Sequence, residues 1–166
     1  MSDVFLNGMF IPADEAKVSV LDRGFVFGDG VYEVIPVYDG YCFKLKNHLQ
    51  RLQNSLDESK ILNPYSEKQW EILLKKLINL HLGGDQVLYI QVTRGVAVRD
   101  HVFPENTKPT VFVMSNLMQG VPEKYKKNGI SAISLKDSRW QKCNIKSTSL
   151  LPNCLLKQQA KDAGAE

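Results

Sequence analysis

Two turn pairs limit what this chain can fold into. Asn7-Gly8 tolerates the positive φ of a tight hairpin turn and separates Val4-Phe5-Leu6 from Met9-Phe10-Ile11. Asp39-Gly40 turns between Val31–Tyr38, rich in β-branched and aromatic residues, and a return arm over Tyr41–Leu45. Pro36 sits inside the first of these arms, which points to an edge position or a bulge. The hydrophobic period then changes. Leu45, His48, Leu49, Leu52 and Leu56 recur at helical spacing, and so do Trp70, Leu73, Leu74 and Leu77. Ser66 and Gln69 stand as a capping box before the second of these helices, and Gly83-Gly84 ends it. Val87–Thr93 and Thr110–Met114 read as strands.

Hairpins, two helices and two further strands imply an α+β fold. The expected arrangement is a two-layer N-terminal domain, 1–118, with an antiparallel sheet and two helices. Residues 119–129 are polar, contain Gly120, Pro122 and three lysines, and read as a linker. Ile130–Leu135 then reads as a strand and Leu151–Ala163 as a helix, with Pro152 in its first turn, where a missing N–H is tolerated. One strand and one helix cannot bury a core alone. Residues 130–166 are therefore expected to be the start of a second, incomplete domain, and the chain a fragment or one that needs a partner.

Composition excludes several classes. Hydrophobic residues make up 43% and charged residues 23%, which suits a packed core and not disorder. A net charge of +3 is too mild to argue for nucleic acid or a membrane surface. No apolar run approaches the roughly 20 residues of a membrane span, and Met1-Ser2-Asp3 does not open a secretion signal. Cys42, Cys143 and Cys154 form no CxxC pair, so a reducing, cytoplasmic setting is expected. No metal-ligand cluster is expected.

Four local signals bear on chemistry. Lys146 lies between Ile145 and Ser147, between an expected strand and an expected helix, where burial favours the neutral, nucleophilic amine. An ordinary surface lysine fits the same residues. Arg99 and His101 fall on one face of an extended segment, where a guanidinium fork beside an imidazole suits a carboxylate. A polar loop fits them too. The run Arg23–Gly30 is glycine-rich and lets backbone approach a ligand closely, but a strand follows it, so it is neither a Walker loop nor a dinucleotide fingerprint. A structural turn is its plainer reading. His48 and Arg51 stand one helical turn apart and can meet a phosphate, or can be a core-edge histidine and a solvated arginine.

Taken in this order, the stretches LDRGFVFGDGVYEV, FKLKNHLQRLQNS, VTRGVAVRDHVFPE and SRWQKCNIKSTSLLPNCLLKQQAKDAGA resemble the fold-type IV pyridoxal-phosphate aminotransferases. That family includes D-amino-acid and branched-chain aminotransferases and aminodeoxychorismate lyase. The resemblance covers essentially the whole chain, and it is most specific in its last stretch. It implies pyridoxal 5′-phosphate as cofactor, Lys146 as its Schiff-base lysine and Arg51 on its phosphate. It also implies Tyr32, Arg99 and His101 as a carboxylate trap, with the arginine and histidine reaching in from the neighbouring subunit of a homodimer. The Arg-x-His spacing favours the branch acting on D-amino acids, with D-alanine and 2-oxoglutarate as substrates. The lyase and the branched-chain transaminase are the alternatives within the family, and a non-catalytic α/β interaction fragment is the alternative outside it. Asn144 stands where the family often has aspartate. The acid expected to pair with the pyridine nitrogen lies beyond Glu166, so the chain as given is expected to be catalytically incomplete.

Overall fold

The computed structural model describes residues 3–80 and 83–165. Met1, Ser2 and Glu166, on which the readings of the two chain ends rest, lie outside the described residues. Two units are distinguished: Met1–Met118 with Asn144–Thr148, and Gln119–Cys143 with Ser149–Glu166.

The first unit holds a six-stranded antiparallel sheet. Its strands are β1 (Asp3–Leu6), β2 (Met9–Pro12), β3 (Gly30–Tyr38), β4 (Tyr41–Cys42), β5 (Gln86–Thr93) and β6 (Thr110–Leu117), in the order β2-β1-β6-β5-β3-β4. Its helices are α1 (Arg23–Phe27), α2 (Leu45–Glu58) and α3 (Glu67–Leu80). Asn7 and Gly8 take φ of 50° and 98°, and Asp39 and Gly40 take 49° and 80°, as hairpin turns of this kind require. The second return arm is shorter than expected. It ends at Cys42, because Lys44 turns left-handed and α2 begins at Leu45. Pro36 keeps its register opposite Val87 with no bulge. Its carbonyl accepts from Phe43 N at 2.8 Å, so its nitrogen faces that same outer flank and breaks no bond to β5.

One face of the sheet is covered. Val31, Ile35 and Val37 of β3 and Leu88, Ile90 and Val92 of β5 are buried with Leu49, Leu52 and Leu56 of α2 and Trp70, Leu73, Leu74 and Leu77 of α3. This alternation along the strands follows the two-residue period of a pleated sheet. The Ser66–Gln69 box forms: Gln69 Oε1 accepts from Ser66 N at 2.8 Å, and Gln69 N donates to Ser66 Oγ at 3.4 Å. Gly83 and Gly84 both take positive φ just past residues 81 and 82, which lie outside the described residues.

The glycine-rich run holds a helix that the sequence reading did not expect. Asp22 caps α1, its Oδ1 accepting from Gly24 N at 2.8 Å, and Gly28 closes it at φ 67°. The close backbone approach in this run is to the protein itself. A Cβ on Gly30 would lie 2.9 Å from the carbonyl oxygen of Val92.

The second unit contains α4 (Glu123–Asn128) and α5 (Leu151–Asp162). Helix α4 falls in the stretch read as a linker. No strand forms over 130–135, and Ile130, Ile133 and Leu135 are exposed. A strand needs a neighbour for its backbone groups, and the described residues of this unit offer none. Asn144–Thr148, which the sequence reading assigned to the second domain, groups with the first unit.

Candidate active site at the outer edge of β3

Strand parity sets the site. Val31, Glu33 and Ile35 share the covered face of β3, so Glu33 carries its carboxylate into the core and is fully buried. A buried charge persists only when paired. The i, i+3 spacing of α2 supplies the partners. Arg51 donates from Nε to Glu33 Oε1 at 2.6 Å and from Nη2 to Oε2 at 2.9 Å, and His48 Nδ1 lies 2.7 Å from Oε2. The hydrogen bonds to Glu33 outweigh the opposing effect of burial and make the Arg51 guanidinium harder to deprotonate than usual, with smaller help from the Glu33 charge and from Tyr32. Arg51 nevertheless keeps about half of its side chain in solvent.

Tyr32 has the opposite parity and lies on the other face of the sheet. It stacks on Tyr89 with ring centroids 5.7 Å apart, and the Tyr89 hydroxyl donates to Gln91 Oε1 at 2.8 Å. Burial, and then the neighbouring Tyr32, push the Tyr89 hydroxyl above its ordinary range.

Lys146 is brought here by its backbone. Ile145 is buried in the core. Lys146 N donates to Ser55 Oγ at 3.2 Å, Tyr32 N donates to the Lys146 carbonyl at 2.9 Å, and Thr148 N donates to the Gly30 carbonyl at 2.9 Å. The segment thus adds an antiparallel bridge, Val31 opposite Ser147, on the flank of β3 beyond the short β4. Thr148 Oγ1 secures it, donating to the Gly28 carbonyl at 2.9 Å. The Lys146 side chain is half-buried, with Nζ 3.9 Å from the centroid of the Tyr32 ring. An ammonium over a tyrosine face is attracted by the ring quadrupole.

Arg99 and His101 come together elsewhere in this unit. Both are exposed and both pack on Phe27, Arg99 with its guanidinium carbon 5.1 Å from the ring centroid and His101 ring to ring at 5.4 Å. Their loop is anchored by Arg23 Nη1, which donates to the Asp100 carbonyl, and by Arg94, whose guanidinium lies 3.6 Å over the Phe103 ring. Among the described residues, no hydrogen bond, ion pair or ring contact joins Arg99 or His101 to Tyr32 or Lys146. A hollow of about 590 Å³ beside Asn144 is lined by Asn54, Asp57, Glu58 and Lys60. Its two carboxylates make it a poor seat for a phosphate.

Glu33 was missed in the sequence although its signal was there. A carboxylate at the parity of Val31 and Ile35 must find cations, and the nearest amphipathic helix offers His48 and Arg51 one turn apart.

The family model for amino-transferase class IV matches residues 30–166. The chain belongs to the class IV aminotransferases. Relatives within and around this family agree. The chain is 43% identical over 162 residues to the D-alanine aminotransferase of Bacillus licheniformis, covering 98% of this chain and 57% of that protein. It therefore spans little more than half the length of the curated relatives it matches. The branched-chain amino acid aminotransferase of Escherichia coli superposes with a TM-score of 0.89 at 19% identity, covering 99% of this chain and 57% of that one. The 4-amino-4-deoxychorismate lyase of Pseudomonas aeruginosa gives 0.78 at 24%, covering 94% and 56%. At these identities the two structures establish the fold of this class IV aminotransferase chain and nothing finer.

Proposed function

We propose that the protein carrying this chain transaminates D-amino acids, with D-alanine and 2-oxoglutarate as substrates, and that Lys146 is its catalytic amine. The carrying observation is the Lys146 Nζ held 3.9 Å over Tyr32 by a segment bonded to the edge of β3. The 43% identity to a protein named D-alanine aminotransferase supports the choice of substrate.

Class IV aminotransferases use pyridoxal 5′-phosphate, and the residues present fit it. An aldehyde needs a sheltered primary amine, and Lys146 is one. A phosphate needs a fixed cation, and Arg51 leaves Nη1 without a hydrogen-bond partner among the described residues. When bound, the cofactor supplies the aldehyde that links to amines and the ring that accepts electrons from the substrate Cα–H bond. Lys146 is then the group that anchors the cofactor, and its amine is the base that removes the proton from substrate Cα. Arg51 holds the phosphate. Tyr32 presents its hydroxyl and ring beside the amine.

The same proposal gives Arg99 and His101 to the substrate carboxylate, across the subunit boundary of a homodimer. Their exposure suits that role, as does the fact that among the described residues no hydrogen bond, ion pair or ring contact joins them to Tyr32 or Lys146. It also takes residues 119–166 as the opening of a larger cofactor-binding domain, and it places the protein in the cytoplasm, in keeping with three cysteines and no CxxC pair.

Borohydride reduction of the full-length protein with its cofactor, followed by peptide mass mapping, should place a pyridoxyl group on Lys146. A pyridoxyl group on any other lysine sinks the assignment. In heavy water, D-alanine should exchange its Cα proton faster than L-alanine. Release of pyruvate from aminodeoxychorismate without such exchange would move the protein to the lyase branch.

A further inference from the structure

We propose that Glu33 is a positioning residue for phosphate recognition: it holds the Arg51 guanidinium so that the edge left over, Nη1 with the outer N–H of Nη2, meets a phosphate monoester. This rests on the reading of Arg51 as the phosphate contact given above.

The Arg51 side chain is 52% exposed, whereas that of Glu33 is 0% exposed. Apart from Glu33, its one polar contact at hydrogen-bond range among the described residues is His48 Nδ1 at 3.3 Å. An ionised carboxylate only accepts, so His48 donates through Nδ1 to Glu33. The 3.3 Å approach is then two donors gathered on one oxygen. Among the described residues, Glu33 is accordingly the hydrogen-bond acceptor that orients the Arg51 fork. A long side chain that is already fixed loses less freedom when it grips a ligand.

Two opposite effects follow from the Glu33 charge. It cancels part of the attraction between Arg51 and an anion, and it orients the fork. Arg51 is half in water, where charge attraction is screened. A bidentate grip, by contrast, depends on two parallel N–H groups in place. Orientation therefore outweighs neutralisation at this site. Glutamine cannot substitute. Glu33 accepts three hydrogen bonds on two oxygens, and a glutamine amide would turn its own NH2 toward one of those donors.

The test separates grip on the phosphate from general damage. Equilibrium dissociation constants for pyridoxal 5′-phosphate and for unphosphorylated pyridoxal are measured on the full-length apoprotein for wild type, Glu33→Gln and Arg51→Met. Their ratio reports the phosphate contact. Glu33→Gln should lower that preference about tenfold or more, the factor for one charge-assisted hydrogen bond no longer held in place, and leave pyridoxal binding within about twofold. Equal weakening of both ligands overturns the proposal, because a merely structural carboxylate behaves that way. So does a preference kept in Glu33→Gln but lost in Arg51→Met, and the Arg51 assignment then stands. A preference kept in Arg51→Met removes the Arg51 reading and this inference with it. Should Glu33→Gln fail to fold, Glu33→Asp keeps the charge but draws both acceptor oxygens back from the Arg51 fork, and should lower the preference about twofold to fivefold. An unchanged preference in that variant overturns the proposal equally.

Discussion

Asp29 and Glu33 each stand between two bases, yet the two clusters differ in what they leave over. Asp29 lies between Arg23 and Arg94, whose side chains are only 4% and 7% exposed. Arg94 gives Nε and Nη2 to Asp29 at 2.7 and 2.9 Å, and also donates to the Ser59 and Lys60 carbonyls at 2.8 and 2.9 Å. All three of its nitrogens donate to the protein. Glu33 is the more buried acid, but its arginine reaches solvent and leaves Nη1 without a hydrogen-bond partner among the described residues. The closed cluster ties α1, the start of β3 and the loop after β5 together. The open one keeps a cation available to a ligand. The same residue types thus differ in role according to whether the guanidinium is buried or reaches solvent.

The largest loss is expected at Asp29. Asp29→Asn leaves two buried guanidinium groups without a counter-charge and should cost about 3–5 kcal/mol in urea denaturation. The acid limb should change with it. Burial pushes the Asp29 carboxyl up, but the hydrogen bonds from Arg94 and Arg23 outweigh it and hold the group below its ordinary value. Its contribution is therefore present above the unfolded value near about 3.9 and is lost as pH falls through the lower folded value. Asp29→Asn should flatten stability against pH below about 4. An unchanged acid limb would show that the cluster is not the ion pair described.

The open cluster should yield less. Arg51→Met leaves Glu33 buried with His48 still in place, and should cost about 1.5–3 kcal/mol in the same experiment. A loss as large as that of Asp29→Asn would erase the distinction between the two sites. Ser55→Ala removes the acceptor of Lys146 N. It should cost about 1 kcal/mol and speed hydrogen exchange at the Lys146 amide more than at Tyr32. The smallest effect belongs to Asp137, an exposed acid whose carboxyl is lowered to about 2 by hydrogen bonds from Arg139. In Arg139→Ala it should titrate in the ordinary range by NMR, with no change in the unfolding midpoint.

Much of this was legible in the chain because the signals are local. The Asn7-Gly8 turn, the Ser66–Gln69 box and the leucine periods of α2 and α3 each need only a few neighbouring residues to be read. What was not legible depends on distant partners. Helix α1 was hidden because Gly24 and Gly28 look like turn residues until Asp22 is recognised as its cap. The expected strand at 130–135 has the right composition but no neighbouring strand among the described residues. In the candidate site, Lys146 and Arg51 stand in local patterns that the sequence shows, and the family resemblance adds Tyr32; the Lys146 amine lies over the Tyr32 ring, while Arg51 pairs with Glu33. Glu33, Ser55 and Asp29 were not legible, because a buried polar group shows its purpose only beside the residues that satisfy it.

The bridge between β3 and residues 145–148 has a consequence for how the Lys146 amine tolerates change. Lys146 is 114 positions from Tyr32 along the chain, but its place beside that ring is dictated by backbone pairing at Gly30 and Tyr32. A one-residue slip in the bridge would therefore turn Lys146 to the wrong side of the sheet. Positional tolerance of the amine is set at this dock and not by how far apart along the chain its two halves lie.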